Sequence, residues 1–156
     1  MALSKIDGTN FIEGTVPSTV APGAGKVLQV VSVTSTSQQT TTSGTYVAST
    51  GFTASITPSS TSSKILVSVM SNIRSSADAS YTLYKGATNL AGTGSFVQIY
   101  AGGVDIRQLM TINYLDSPAT TSSTTYTLYF LAGGGTAYIN QESDRQGQII
   151  LTEIGE

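Results

Sequence analysis

Apolar residues along this chain alternate with hydroxyl-bearing ones at a spacing of two, and the alternation predicts β-strands almost throughout. Phe52-Thr53-Ala54-Ser55-Ile56 shows the pattern in its simplest form, and Pro58 stops it because proline brings no N–H to a ladder. Lys64–Ile73 places Ile65, Val67 and Val69 on one face of a strand and Leu66 and Met70 on the other. Tyr81-Thr82-Leu83-Tyr84 runs into a Lys85-Gly86 turn. Phe96–Tyr100 and Ile106–Leu115 follow, divided by Gly102-Gly103, and Tyr126–Leu131, Ala137–Ile139 and Gln148–Ile154 complete the set. Tyr46-Val47 starts a short strand. Val27–Val33 differs from all of these. It is a nearly unbroken β-branched run, expected of a strand buried on both faces or lying in a subunit contact. Ser35–Ser43 and Ser59–Ser63 read as polar connections.

About nine short strands at roughly 8–15-residue spacing, with no 3.6-residue apolar period, predict an all-β fold. The expected architecture is a single, jelly-roll-like β-sandwich domain over residues 27–156. An extended N-terminal arm, residues 1–26, precedes it. The arm carries Gly8, Gly14, Pro17, Pro22, Gly23 and Gly25 with only spaced apolar residues, so it builds no core of its own. It is either held by a partner subunit or folded back over its own domain.

Composition narrows the chemistry. The chain has no Cys, His or Trp and only seven basic and nine acidic residues in 156, against 22 Ser and 24 Thr. Thiol and most metal chemistry need Cys or His, and acid–base catalysis near neutral pH relies mainly on His or tuned carboxylates. A charged fraction of 10%, against about 25% in ordinary domains, is also unlike disorder, which pairs low hydrophobicity with high charge. It suits strands whose outer faces are covered by Thr and Ser. The net charge of −2 and the scatter of Lys and Arg leave no basic stripe for nucleic acid. No apolar run approaches the length of a membrane-spanning helix. Met1–Asp7 lacks the apolar core of a secretory signal, so the expectation is a protein made in a cytoplasm and kept soluble there, or carried out within a larger particle.

The acidic residues offer one close pair, Glu142 and Asp144, whose i, i+2 spacing would put both on one face of a strand. Their surroundings, Asn140 to Gly147 with Arg145 as a local cation, read as a solvated hairpin tip. No serine sits in Gly-x-Ser-x-Gly, and without His no conventional triad is possible. Gly133-Gly134-Gly135 and Gly102-Gly103 open no helix and are turn glycines. No Asp-x-Asp-x-Asp-Gly spacing marks a calcium loop. No catalytic residue, cofactor or metal ligand is therefore expected.

Phe52, Phe96 and Phe130 sit inside apolar alternation and read as core. Tyrosine, with an apolar body and a polar tip, serves core rims, subunit contacts and sugar platforms alike. Tyr84 and Tyr100 lie beside turns and are the best candidates for a ligand- or subunit-facing surface, joined by Glu142 and Asp144. Val27, Leu28, Val30 and Val31, with Ile149 and Ile150 near the C-terminus, are the candidate oligomer interface.

Several phrases, in order, give the chain a family likeness. They are Gly25-Lys26-Val27-Leu28-Gln29-Val30-Val31, Ile56-Thr57-Pro58-Ser59-Ser60 leading to Lys64-Ile65-Leu66-Val67, Tyr114-Leu115-Asp116-Ser117-Pro118 leading to Tyr126, Thr136-Ala137-Tyr138-Ile139-Asn140, and Leu151-Thr152-Glu153-Ile154-Gly155. The set resembles the small head domains that end tail-fibre and other virion structural proteins of bacteriophages, aquatic ones especially. Leu3–Asn10 and Gly14–Pro17 are similar to the link that precedes such heads. The resemblance implies a homotrimer of jelly-roll-like sandwiches without enzymatic activity, located in the virion. It would dock on other virion proteins through residues 1–26 and meet a host surface glycan or protein through distal loops, as a short tail fibre or knob. A capsid decoration or cement protein is the alternative. A glycan-processing enzyme, the third possibility, is disfavoured by the missing His and the isolated carboxylates.

Overall fold

The computed structural model describes residues 25–141 and 145–155. These form eleven strands: β1 (Val27–Ser35), β2 (Gln39–Thr41), β3 (Val47–Ile56), β4 (Lys64–Ser75), β5 (Ala79–Lys85), β6 (Thr88–Asn89), β7 (Val97–Ile99), β8 (Ile106–Asp116), β9 (Thr124–Ala132), β10 (Ala137–Ile139) and β11 (Gly147–Ile154). No helix occurs among the described residues. The strands build two antiparallel sheets packed face to face, a β-sandwich.

In the six-stranded sheet β4 is the axis. Its one edge pairs along its whole length with β8, from Ile65↔Asp116 to Ser75↔Ile106. Its other edge is shared end to end, β11 pairing with Lys64–Met70 and β10 with Ile73–Ser75. β1 continues the sheet beyond β11, and β2 continues it beyond β10. The five-stranded sheet runs β3, β9, β5, with β7 and β6 sharing the far edge of β5.

The period of two in the sequence becomes the inside and outside of these sheets. Ile65, Val67, Val69 and Ile73 of β4 point inward while Leu66 and Met70 point out, as the alternation predicts. They meet Phe52, Tyr126, Leu128 and Phe130 from the opposing sheet in one continuous core. Phe96 lies only partly buried at its margin, edge-on to Tyr114 at 5.4 Å between ring centroids.

Three sequence expectations are revised. Tyr46-Val47 and Phe52–Ile56 are not separate strands: β3 runs unbroken from Val47 to Ile56, with a register irregularity between Ala48 and Thr53. Gly51 lies in that irregularity, where a Cβ would come within 2.4 Å of Ser35 Oγ. The polar stretch Ser35–Ser43 contains a strand, β2, which pairs with β10 through its backbone and so needs no apolar side chains. Most important, β1 is not buried on both faces. Among the described residues it is an edge strand, with Val27, Leu28 and Val30 exposed.

Candidate binding surfaces

The two ends of the sandwich are chemically distinct. Gly25 and Lys26 exchange backbone hydrogen bonds with Gly155, so the chain enters and leaves at one end, beside Lys64 at the start of β4. Here the structure is closed by buried polar contacts. The fully buried Glu153 carboxylate accepts from Ser59 N at 2.7 Å, Ser59 Oγ at 2.6 Å and Gln29 Nε2 at 2.6 Å. Burial pulls this carboxyl upward, but the donors on Ser59 and Gln29 outweigh it and hold the group down at about 2. Asp116 accepts from the buried Tyr126 hydroxyl at 2.6 Å and pairs with Lys85 Nζ at 2.9 Å. Burial, then the hydrogen bond to Asp116, pushes the Tyr126 hydroxyl well above the usual range. Both carboxylates are buried and bridge separate segments of the chain.

At the opposite end the loops are open. Ala101 and Val104 close a tight turn, Val104 N donating to Ala101 O at 2.9 Å, with Gly102 and Gly103 at φ of 55° and 88°. Those positive φ values are the reason for two glycines here. The turn holds out Tyr100 and Val104, 73% and 66% exposed. Beyond it Asp105 binds two cations, Arg74 Nε at 2.7 Å and Arg107 Nε at 3.2 Å. The Arg74 hydrogen bond is the main reason the Asp105 carboxyl is held below its usual range. The Arg74 guanidinium also lies 4.9 Å over the Tyr138 ring. Next to this cluster is a concavity of about 360 Å³, lined by Asn72, Ile73, Arg107, Gln108, Leu109, Gln141 and Arg145.

A third surface is the outer face of the six-stranded sheet. Of the eight exposed large hydrophobic residues described, six (Val27, Leu28, Val30, Met70, Leu109 and Leu115) belong to β1, β4 and β8 of this sheet. Successive rows across its outer face read Val30–Thr152–Leu66–Leu115, Ser32–Ile150–Ser68–Asn113 and Thr34–Gln148–Met70–Thr111. No ionisable side chain stands in those rows. Charges flank them only, Lys64 at one end and Arg74 with Arg107 at the other.

The sequence-derived candidates fall differently from one another. Val27, Leu28 and Val30 lie on the apolar outer face, and Ile150 joins them half-buried. Val31 and Ile149 do not. Val31 is half-buried against the core and Ile149 is fully buried within it, because each has the opposite parity in its strand. Tyr84 and Tyr100 are not brought together. Tyr84 stands on the outer face of the five-stranded sheet, stacked on Tyr129 at 3.9 Å and edge-on to Tyr46 at 6.2 Å. Tyr100 belongs to the open loop end, its hydroxyl donating to Gln98 Oε1 at 2.7 Å. Glu142 and Asp144, and arm residues 1–24, lie outside the described residues.

Sequence reasoning named neither Leu109 nor Leu115 as surface residues, and it missed the concavity entirely. Alternation gives the parity of Leu109 and Leu115, but only the β4–β8 register places them beside Leu66 and Met70.

No helix among the described residues is long and apolar enough to cross a membrane. A comparison with protein-family models finds no match, and a comparison with curated proteins finds no significant match.

Proposed function

We propose that this chain is the head of a bacteriophage virion surface protein, a short tail fibre or knob. It assembles with copies of itself, docks through its N-terminal arm and attaches to the host by binding, without chemistry. The observation that carries the assembly step is the outer face of the six-stranded sheet, whose three central rows hold no ionisable side chain and whose strands β1, β4 and β8 carry six of the eight exposed large hydrophobic residues described. Depletion of charge and enrichment of apolar side chains are the compositional marks of an interface core. Four strands about 4.8 Å apart and about seven paired residues long cover roughly 500 Å² in projection, and more as side-chain surface. That is the order of the about 800 Å² per partner of a standard interface.

The strand order supports the finer reading of the sandwich as a jelly roll. Its main strands run β1-β11-β4-β8 in one sheet and β3-β9-β5-β7 in the other, so that early and late strands alternate as in a wound hairpin. The homotrimer implied by the family resemblance would bury the six-stranded sheet and leave the five-stranded one outward. Gly25 and Gly155 at one end and the exposed Tyr100–Val104 turn at the other support a reading with docking at the first end and display at the second. Multivalent display raises weak single-site affinity by roughly 10²–10⁴.

Antibodies against the chain test the role directly. They should label the surface of purified virions of its phage, and a chain lacking residues 1–24 should fold yet fail to incorporate. Unlabelled virions, or normal incorporation of the truncated chain, would overturn the reading.

A further inference from the structure

The two long margins of the sandwich are closed differently. At one, β1 and β3 pack against each other. At the other, eleven-residue β8 has three-residue β7 as its main neighbour in the opposite sheet. The core is under-covered there. Five of the eight partly buried hydrophobic residues that pack on it (Leu90, Phe96, Val97, Ile106 and Tyr114) belong to β8 or to the chain running from β6 to β7.

The backbone of β8 is open along the same margin. β4 takes one edge over its whole length, and no described strand pairs with the other. Every second residue of such an edge points its N–H and C=O away from the pairing strand. Proline, lysine and bulges are the usual devices that keep an edge from accepting a further strand. From Ile106 to Asp116 there is no proline, no lysine and no register shift. Added strands dock on edges of this kind, the backbone giving affinity and alternate side chains filling pockets beneath.

The chain before Gly25 holds a segment that fits and can reach. Asn10-Phe11-Ile12-Glu13-Gly14-Thr15-Val16 contains no proline, and as a strand it would turn Ile12 and Val16 to one face and Thr15 to the other. Asp116 ends β8 beside Ile65, at the end of the sandwich where Gly25 meets Gly155. Three strand spacings of about 4.8 Å, or about 14 Å, separate β1 from β8. Residues 17–24 span up to about 28 Å when extended, enough to cross with bends at Pro17 and Pro22. The Ile106 end of β8 lies about 30 Å further along the strand, beyond that reach. A strand formed by residues 10–16 must therefore finish near Asp116 and run parallel to β8.

We propose that residues 10–16 of the same chain add a strand to the open edge of β8, with Ile12 and Val16 covering Phe96 and Tyr114. Residues 1–9 are left for contacts with other proteins. The added strand is a property of the fold, and it stands or falls apart from any role in a virion.

Paired cysteines test it, since the chain has none of its own. Thr15→Cys would share the outward parity of Thr111, Asn113 and Leu115, and adjacent strands bring Cα atoms within disulfide range. In the full chain it is combined in turn with Thr111→Cys, Asn113→Cys and Leu115→Cys. At least one pair should oxidise within a single chain, read on non-reducing gels and by peptide mass mapping. That pair should form at least ten-fold faster than Thr15→Cys with Ser55→Cys, an exposed position on the other sheet. Ile12→Asp should speed amide exchange ten-fold or more at the β8 residues that turn away from β4, and Ile6→Asp should leave it unchanged. Disulfides formed mainly between chains, equal rates with Ser55→Cys, or unchanged exchange in a folded Ile12→Asp protein would overturn the proposal.

Discussion

Glu153→Gln isolates the polar clasp that closes the end of the sandwich where Gly25 and Gly155 meet. The substitution keeps the shape of the side chain and removes its charge. Oε1 accepts from both Ser59 donors, and a glutamine oxygen can keep those bonds. The other oxygen accepts from Gln29 Nε2, and there the new NH2 group would face a donor. Gln29 must then turn its amide over, which forfeits its 2.8 Å bond to Thr57 O. Hydrogen bonds to a charged group contribute about 1.5–3 kcal/mol and neutral ones about 0.5–1.5. Loss of charge assistance together with the Thr57 bond costs about 3 kcal/mol, or about 6–12 °C in Tm for a domain of this size.

The pH dependence distinguishes this mechanism from a packing defect. The folded-state carboxyl is held at about 2, below its ordinary 4.5. A depressed carboxylate contributes stability that is fully present above about 4.5 and is lost as pH falls towards 2. Urea unfolding at a fixed protein concentration should therefore show the variant about 3 kcal/mol weaker at pH 7, with most of the gap closed by pH 2.5. A loss below about 0.5 kcal/mol at pH 7, or an equal loss at both pH values, would refute the reasoning.

Other substitutions probe other parts of the structure. Gly147→Ala would place a Cβ 2.3 Å from the Phe52 ring and 2.5 Å from Asn140 Oδ1, so thermal unfolding should show a loss of about 2–4 kcal/mol. Tyr100→Ala, at a 73% exposed side chain, should change stability by less than about 0.5 kcal/mol. Tyr84→Ala breaks the stack on Tyr129 and should cost about 2 kcal/mol in the same denaturation assay. Lys85→Met leaves the buried Asp116 carboxylate without its cation and should destabilise by about 2 kcal/mol at pH 7 in urea unfolding.

The sandwich was legible in the sequence wherever side chains alternate strongly. Ile65, Val67 and Val69 declare their face, and Tyr81 and Tyr126, ambiguous by residue type, share the inward parity of Leu83 and Leu128. β2 was not legible, because Gln39, Thr40 and Thr41 are held by backbone pairing with β10 rather than by apolar burial. β1 misled for the opposite reason. A β-branched run signals a strand without saying what covers it, and Val27, Leu28 and Val30 are exposed among the described residues. The concavity is assembled from Asn72, Arg107 and Gln141, and their proximity depends on the β4–β8 register and on the handover from β11 to β10. No local pattern encodes either.

The mass of the assembly tests the central claim most directly. Sedimentation equilibrium of the full chain at about ten micromolar should give three times the 16.1 kDa of one chain. Met70→Glu combined with Leu109→Glu, two charges placed on the exposed face of the six-stranded sheet, should reduce it to a folded monomer. A monodisperse monomer of the unaltered chain, or an oligomer indifferent to both charges, would contradict the account.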